Sequence, residues 1–523
     1  MTARRPTHPV FWESCSRNCL RAALLWLAAA VVSGGASGQT LEAVYTSTRN
    51  VTSIAVGRNF EVVVGTRGGV LVCTDGKWRK FTILDGLLTN EVLGVAISDG
   101  RPTAFSAVGS CGLIDGHWSP DPSAGPAAPL LTGQLCACRS NGSDCAATAE
   151  GLRVRSGDGW KPIPFPHSTG THISALLDRG ETLWAAVYGD GVFAWDGNSW
   201  SPVKLDLPDR ARAITAMASD GDRLWLGTTA DGVWELEKGK WTPHPQPDEP
   251  RDHNCQAISS YAGKLHFSTL DRGLATYSAD GWEAVHAPEI SGDTPRQMAE
   301  FGGSLYVRIS TGPVDRFDGK SWAGNVFPDL PRKQCSTLAS DKRALYVGQW
   351  GGWSEFDGKK WIHHLNTPEL RGSQVTAILP DGDTLWIGTQ GAGIARFDRP
   401  TGGITLYNEL SGLPDDTIKC LARGADTLYA GAFSQGLCFL TLPSPRAPSP
   451  CPQSESLGAV QVTDLALDPS GGLYIGARTS LWRLDSEKRM KLVMAGIEVQ
   501  ALRVIGNELW VGTRTGVLKL GRP

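Results

Sequence analysis

The sequence predicts an all-β protein, a β-propeller of about twelve four-stranded blades, arranged as two propellers or as one large closed ring. Three observations predict it. The chain has 523 residues, too many for one compact core, so it is built of several domains or grows by repetition. It holds 62 Gly and 19 Trp, many tight turns beside many large aromatic anchors. One unit also recurs twelve times, mostly 38 to 45 residues apart, and a period of about 40 residues made of short strands is the mark of propeller blades.

The unit is clearest at 385–398, LWIGTQGAGIARFD. Sister copies are VVVGTRGGVLVCTDGKW at 62–78, LWAAVYGDGVFAWDGNSW at 183–200, LWLGTTADGVWELEKGKW at 224–241, LYVRISTGPVDRFDGKSW at 305–322, LYVGQWGGWSEFDGKKW at 345–361 and LWVGTRTGVLKLGRP at 509–523. Weaker copies begin near Thr103, Cys145, Leu265, Leu428 and Leu473. In each unit an inner strand such as 375–382 leads to LWIGT, whose continuous apolar run suits a strand buried on both faces. The glycine turn that follows accepts positive φ in a tight hairpin. GIARFD alternates as a third strand, and an Asp-Gly turn leads to an outer strand. That strand begins with Trp in eight copies: Trp78, Trp118, Trp160, Trp200, Trp241, Trp282, Trp322 and Trp361. A large aromatic at a fixed place in each blade is expected to pack between neighbouring blades.

The glycine turn GTQGAG raises the thought of a phosphate cradle. A strand follows it, whereas phosphate loops open a helix, so its glycines read as hairpin residues. The last copy stops after its third strand, and 41–48 is an unassigned strand-like run that can supply the fourth. Exchanged terminal strands would remove the open edges of a ring. The expected division is 1–38 as a secretory signal, 39–290 as blades 1 to 6 and 291–523 as blades 7 to 12.

The signal is read from Arg4, Arg5, Arg17 and Arg21, the apolar run AALLWLAAAVV at 22–32 and the small residues up to Gly38, with cleavage before Gln39. An uncleaved N-terminal anchor is the competing reading. No other run is long and apolar enough to form a membrane span, so a periplasmic or secreted location is expected. A formal charge of −3 offers no basic surface for a nucleic-acid backbone. The ten cysteines beyond the signal lack paired zinc-knuckle spacing, so structural disulfides or buried thiols are expected, with no metal and no cofactor.

The best copies resemble the two-component regulator propeller repeat. The match runs through LWIGTQGAGIARFDRPTGGITLYNELSGLPDDTI at 385–418, and partly through VVVGTRGGVL with LDGLLTNEV at 84–92. The resemblance implies a periplasmic ligand-binding sensor of the kind that serves hybrid histidine kinases. Here the repeats run to the last residue with no kinase segment, so signalling would need a separate partner. The family supplies no catalytic residues.

In a propeller, the loops between second and third strands and those between blades open on one face and carry function. Candidate ligand-binding residues on these loops are Arg67, Asn90, His172, Tyr188, Asp231, His253, Arg272, Arg296, Lys333, Trp350, Gln390 and Arg514. Amides, Arg and exposed aromatics suit polyols or peptides. The expected partner is a glycan or peptide ligand, or a membrane-bound signalling or envelope protein. A glycan-active enzyme of sialidase or lyase type, or a structural subunit of an envelope complex, are the alternatives.

Overall fold

The computed structural model describes residues 39–521 except 58–61, 99, 122–133, 166–171, 208–211, 245–248, 311, 333, 371, 443–448, 451–456 and 469. The expected signal at 1–38 and the candidate Lys333 therefore lie outside the described residues. Besides short 3-10 turns such as Ile83–Asp85 and Glu409–Ser411, the regular elements are strands. They form twelve four-stranded antiparallel sheets.

Blades 1 to 6 span 51–81, 94–120, 134–163, 173–203, 214–244 and 255–285. Blades 7 to 11 span 295–323, 337–365, 375–407, 418–450 and 462–495. Blade 12 takes three strands from 499–521 and its outer strand, Leu41–Tyr45, from the other end of the chain. Val44 lies opposite Leu518 and Tyr45 opposite Val517, so the terminal strands pair as the repeat register requires.

Local chemistry explains each part of the repeat. The second strand of blade 9 is buried from Leu385 to Thr389, which accounts for its unbroken apolar run. Its last residue closes the hairpin: Thr389 Oγ1 donates to Gly393 O at 2.9 Å, as Thr66 does to Gly69 O and Thr513 to Gly516 O, both at 2.8 Å. Gly393 has φ +82°, and a Cβ there would stand 2.1 Å from Tyr407 O, so only glycine fits. At the outer hairpin the Asp side chain caps the turn: Asp357 Oδ1 accepts from the N–H groups of Lys359 and Lys360 at 2.7 Å. Those backbone donors hold its carboxyl below the usual range.

The blades join through three recurrent contacts. Apolar clusters fill the spaces between sheets, with the outer-strand Trp among them: Trp282 of blade 6 lies 5.6 Å from the Tyr45 ring of blade 12, and Trp361 of blade 8 lies 4.8 Å from Phe327, which follows blade 7. The glycine of LWIGT admits the next inner strand closely. A Cβ on Gly388 would stand 3.0 Å from Ile418 Cγ2. The third contact comes from a register shift near the start of most inner strands, for example between Val51 and Ser53 and between Val375 and Ala377. The bulge re-aims its residue. Thr52 Oγ1 then donates to Val92 O at 2.8 Å and Ser174 to Ile214 O at 2.6 Å, and Ser336, just ahead of the strand Thr337–Ser340, makes the like bond to Val375 O at 2.6 Å.

These contacts also link blades distant in sequence. The inner strand of blade 1 packs against those of blades 2 and 5; Val51 shares a cluster with Ala216 and Trp225, and Thr215 Oγ1 donates to Val51 O at 2.7 Å. The inner strand of blade 6 packs against those of blades 7 and 12, where Cys255 and Phe267 meet Trp510 and Val517. Segments 46–50 and 249–254 meet beside blades 1 and 6. There the buried Glu249 carboxylate accepts from Thr48 N at 3.1 Å and Thr48 Oγ1 at 3.0 Å and pairs with Lys80 Nζ at 3.0 Å.

Candidate functional site

One residue in most blades follows the second strand and begins the turn toward the third. Its N–H donates to the carbonyl just ahead of its own inner strand: Arg67 to Asn50, Tyr188 to His172, Ser310 to Thr294, Gln390 to Gln374, Phe433 to Thr417 and Arg514 to Glu498, at 2.8–3.2 Å. The shared bond puts these residues in one register, at the blade end where inner strands begin. They form a rim whose backbone is fixed by the scaffold while each side chain is free to vary.

Blades 9 and 10 carry Gln390 and Phe433 on this rim, and in blade 8 Trp350 directly follows the second strand at the matching place. Trp350 is 44% exposed and Phe433 50%, well above what a packed aromatic shows, with exposed Gln390 between them. Trp350 forms a bridge to Gln374 of blade 9, and Gln390 one to Thr417 of blade 10, so backbone pairing runs from blade to blade along this arc. In GQWGGW the two tryptophans take different roles. Trp353 is fully buried, stacked on His364 at 4.5 Å. His363, next in sequence, turns to the other face and contacts Ser354 Oγ at 2.9 Å, as alternation along a strand requires.

The other candidates fall elsewhere. Arg67, His253 and Arg272 stand where blade 1 meets blade 6. Arg67 pairs with Glu91 at 3.7 Å, His253 Nδ1 lies 3.3 Å from Asp252 Oδ1 and Arg272 lies 3.8 Å from Asp271. Burial holds His253 below the usual histidine range against the opposing pull of Asp252, while Arg67 adds to the depression. His172 and Tyr188 form an edge-to-face pair in blade 4, with centroids 6.2 Å apart. Asp231 sits in the blade 5 hairpin, where its N–H donates to Thr228 Oγ1 at 2.9 Å. Arg514 pairs with Glu498 at 3.7 Å.

Asn90 is 2% exposed, and its Oδ1 accepts from Ile83 N–H at 2.9 Å. Asp416 does the same for Glu409 N–H at 2.7 Å. Matching the two GL segments against each other was the signal for this capping role. Phe433 and Arg308 were missed by sequence reasoning, although aligning AGAFSQG and LYVRIS with LWIGTQG marks both positions.

A cleft of about 670 Å³ opens between the 83–90 loop with 117–120 and segments 494–497 and 513–518 of blades 11 and 12, with Gln39 in its wall. Leu84, one of its lining residues, is 42% exposed, whereas its counterpart Leu410 in blade 9 is 91% exposed. The nine cysteines among the described residues are free thiols, seven of them buried. Among the described residues no group of three or more His, Cys, Asp or Glu is placed to hold a metal. No described helix is long and apolar enough to cross a membrane.

Fold and rim together define an all-β propeller protein with a variable loop face on a repeated scaffold. No family model and no curated protein sequence matches the chain. Among solved structures it is similar to PorZ of Porphyromonas gingivalis, described as an essential bacterial surface component of the type-IX secretion system. The identity is 13% over 92% of this chain and 86% of PorZ, with a TM-score of 0.60. It is also similar to extracellular domains described as those of hybrid two component systems of B. thetaiotaomicron. One is 16% identical over 90% of this chain and 68% of that one, with a TM-score of 0.45; another is 14% identical over 90% and 69%, with a TM-score of 0.46. At these identities the likeness to PorZ speaks for the fold.

Proposed function

We propose that the protein is an exported recognition module that binds a glycan or peptide ligand on the rim of blades 7 to 10 and passes any signal through a separate partner. The observation that carries this reading is the arc of Trp350, Gln390 and Phe433. Two exposed aromatics flank an amide on consecutive blades, each held by backbone bonds, and apolar faces beside a hydrogen-bonding group suit saccharide rings or peptide side chains. Export is inferred from the signal-like segment at 1–38.

We further infer two closed propellers, of five blades (51–244) and seven blades (255–521 with 41–45), in place of the six-and-six division at 290/291. Packing of blade 5 on blade 1 and of blade 12 on blade 6 supports this grouping. The chain would start in the larger ring, complete the smaller one and return.

A thermal-shift panel of neutral and acidic oligosaccharides and short peptides tests the recognition reading. A member of the panel should raise the Tm of the native protein and leave that of Trp350→Ala/Phe433→Ala unchanged. A ligand that shifts both proteins equally places recognition away from the arc and overturns the assignment.

A further inference from the structure

At the junction of blades 7 and 8 the recurrent contact between blades is replaced by two arginines. In blade 9 the bulged residue of the inner strand, Thr376, donates to the first inner-strand carbonyl of the next blade, and in blade 8 Ser336, just ahead of the inner strand, does the same. The second strand there carries Gly348 or Gly388, where a Cβ would come within 2.9 Å of Val375 or 3.0 Å of Ile418. In blade 7 the bulge between Pro295 and Gln297 carries Arg296, and the glycine position carries Arg308. The carbonyl that a Ser or Thr would take, Cys335 O, receives instead a long bond of 3.4 Å from Arg308 Nη1.

Nothing among the described residues neutralises this pair. Arg308 Nε is buried without a hydrogen-bond partner, and neither guanidinium is in an ion pair among the described residues. Burial depresses both, and Arg308 also lies in the field of Arg296. Cys335 offers no anion, because burial pushes its thiol up to about 12. Asp271, the one carboxylate acting on Arg296, already lies 3.8 Å from Arg272. Both side chains are half-buried, charges drawn out of water are retained where they are paired, and a guanidinium fork matches a carboxylate in two parallel hydrogen bonds.

We infer that Arg296 and Arg308 form a carboxylate-binding locus between blades 7 and 8, reading the acidic end of a ligand whose body lies along the rim toward Trp350. This rests on the proposed recognition function and specifies its ligand class: a molecule presenting a carboxylate, as a uronic-acid unit or a peptide C-terminus does. The position fits, since exposed Ser310, two residues beyond Arg308, follows the second strand of blade 7 as Trp350 follows that of blade 8.

The test is isothermal titration of the native chain at low salt with four probes: a galacturonic acid disaccharide, its methyl ester, and a tripeptide ending in Trp with a free or an amidated C-terminus. The variant is Arg296→Thr/Arg308→Gly, which restores the residues of the sister blades and should hold or raise the Tm. At least one free carboxylate should bind tenfold or more tightly than its neutral partner to the native protein, and the double variant should lose that preference. A preference for the saccharide acid or the peptide acid identifies the source. Equal binding of acid and neutral forms overturns the inference while leaving rim recognition standing, provided Trp350→Ala weakens both. Preference retained in the double variant also overturns it, and failure of all four probes to bind counts against this locus and the rim alike. If the double variant fails to fold, Arg296→Thr alone must weaken the acid form at least threefold and leave the neutral form unchanged.

Discussion

Gly227→Ala should strain the contact between blade 5 and blade 1. A Cβ on Gly227 would stand 2.3 Å from Val51 Cγ1, 2.8 Å from Val51 Cβ and 3.2 Å from Ala216 Cβ. Val51 is 1% exposed and β-branched, so it has no alternative rotamer into which to swing. Overpacking of this kind costs about 1–3 kcal/mol, and a contact with a Cβ on a sheet favours the upper half of that range. Val51→Ala alone loses two buried methyl groups, about 1.6 kcal/mol at roughly 0.8 kcal/mol each. It also removes Cγ1, the nearer of the two clashing atoms, and leaves Cβ at 2.8 Å. The double variant should then be less destabilised than the sum of the singles by about 1 kcal/mol or more, since the methyl added at position 227 fills part of the space that Val51 leaves. Urea unfolding of the four proteins gives the coupling directly. Residues that do not touch add within about 0.3–0.5 kcal/mol. Additive behaviour would refute the packing of blade 5 on blade 1, and with it the five-bladed ring.

Other outcomes follow from the same structure. Glu249→Ala leaves Lys80 and Thr48 N–H without their shared partner and should cost about 3–5 kcal/mol, the range for breaking a buried pair; urea unfolding gives the size, and faster hydrogen exchange at 46–50 shows where it acts. Asp464 is raised to about 6 by burial, although Leu502 and Leu465 N–H donate to it. A carboxyl raised on folding adds stability below its unfolded pKa that is lost as pH rises through 6, so Asp464→Asn should remove a decline of roughly 2 kcal/mol between pH 4 and pH 7. Parallel pH profiles of native and variant protein would contradict this. Trp350→Ala should leave unfolding free energy within about 0.5 kcal/mol, as expected for an exposed side chain, while weakening rim ligands about tenfold or more in titration.

Much of the fold was legible because each repeat encodes its own constraints. Leu385 to Thr389 declare a strand buried on both faces, Gly393 a turn that tolerates no Cβ, and Trp361 a wedge between sheets. The unpaired run at 41–48 signalled that the termini would pair. The grouping of blades was less legible, because Val51 meeting Gly227 and Cys255 meeting Gly512 are contacts between repeats that sequence order alone does not choose. Among the candidate residues, loop position marked Trp350 and Gln390, which are exposed. It was less informative for Asn90, whose amide caps a 3-10 turn, and for Arg67 and His253, which lie in a charge cluster between blades 1 and 6. Polar loop residues look alike in sequence whether they face solvent or finish a turn. Arg308 is the opposite case, hidden in a strand and visible only as a departure from the glycine of its sisters.

Hydrogen–deuterium exchange on the full chain, with and without the tightest probe of the oligosaccharide and peptide panel, tests the central claim most directly. Recognition on the rim predicts protection concentrated in 308–310, 349–352, 390–393 and 432–436, at the end of the blades where inner strands begin. Protection confined to the outer Asp-Gly hairpins at 196–199, 318–321 and 357–360, or absent from the rim, would contradict it.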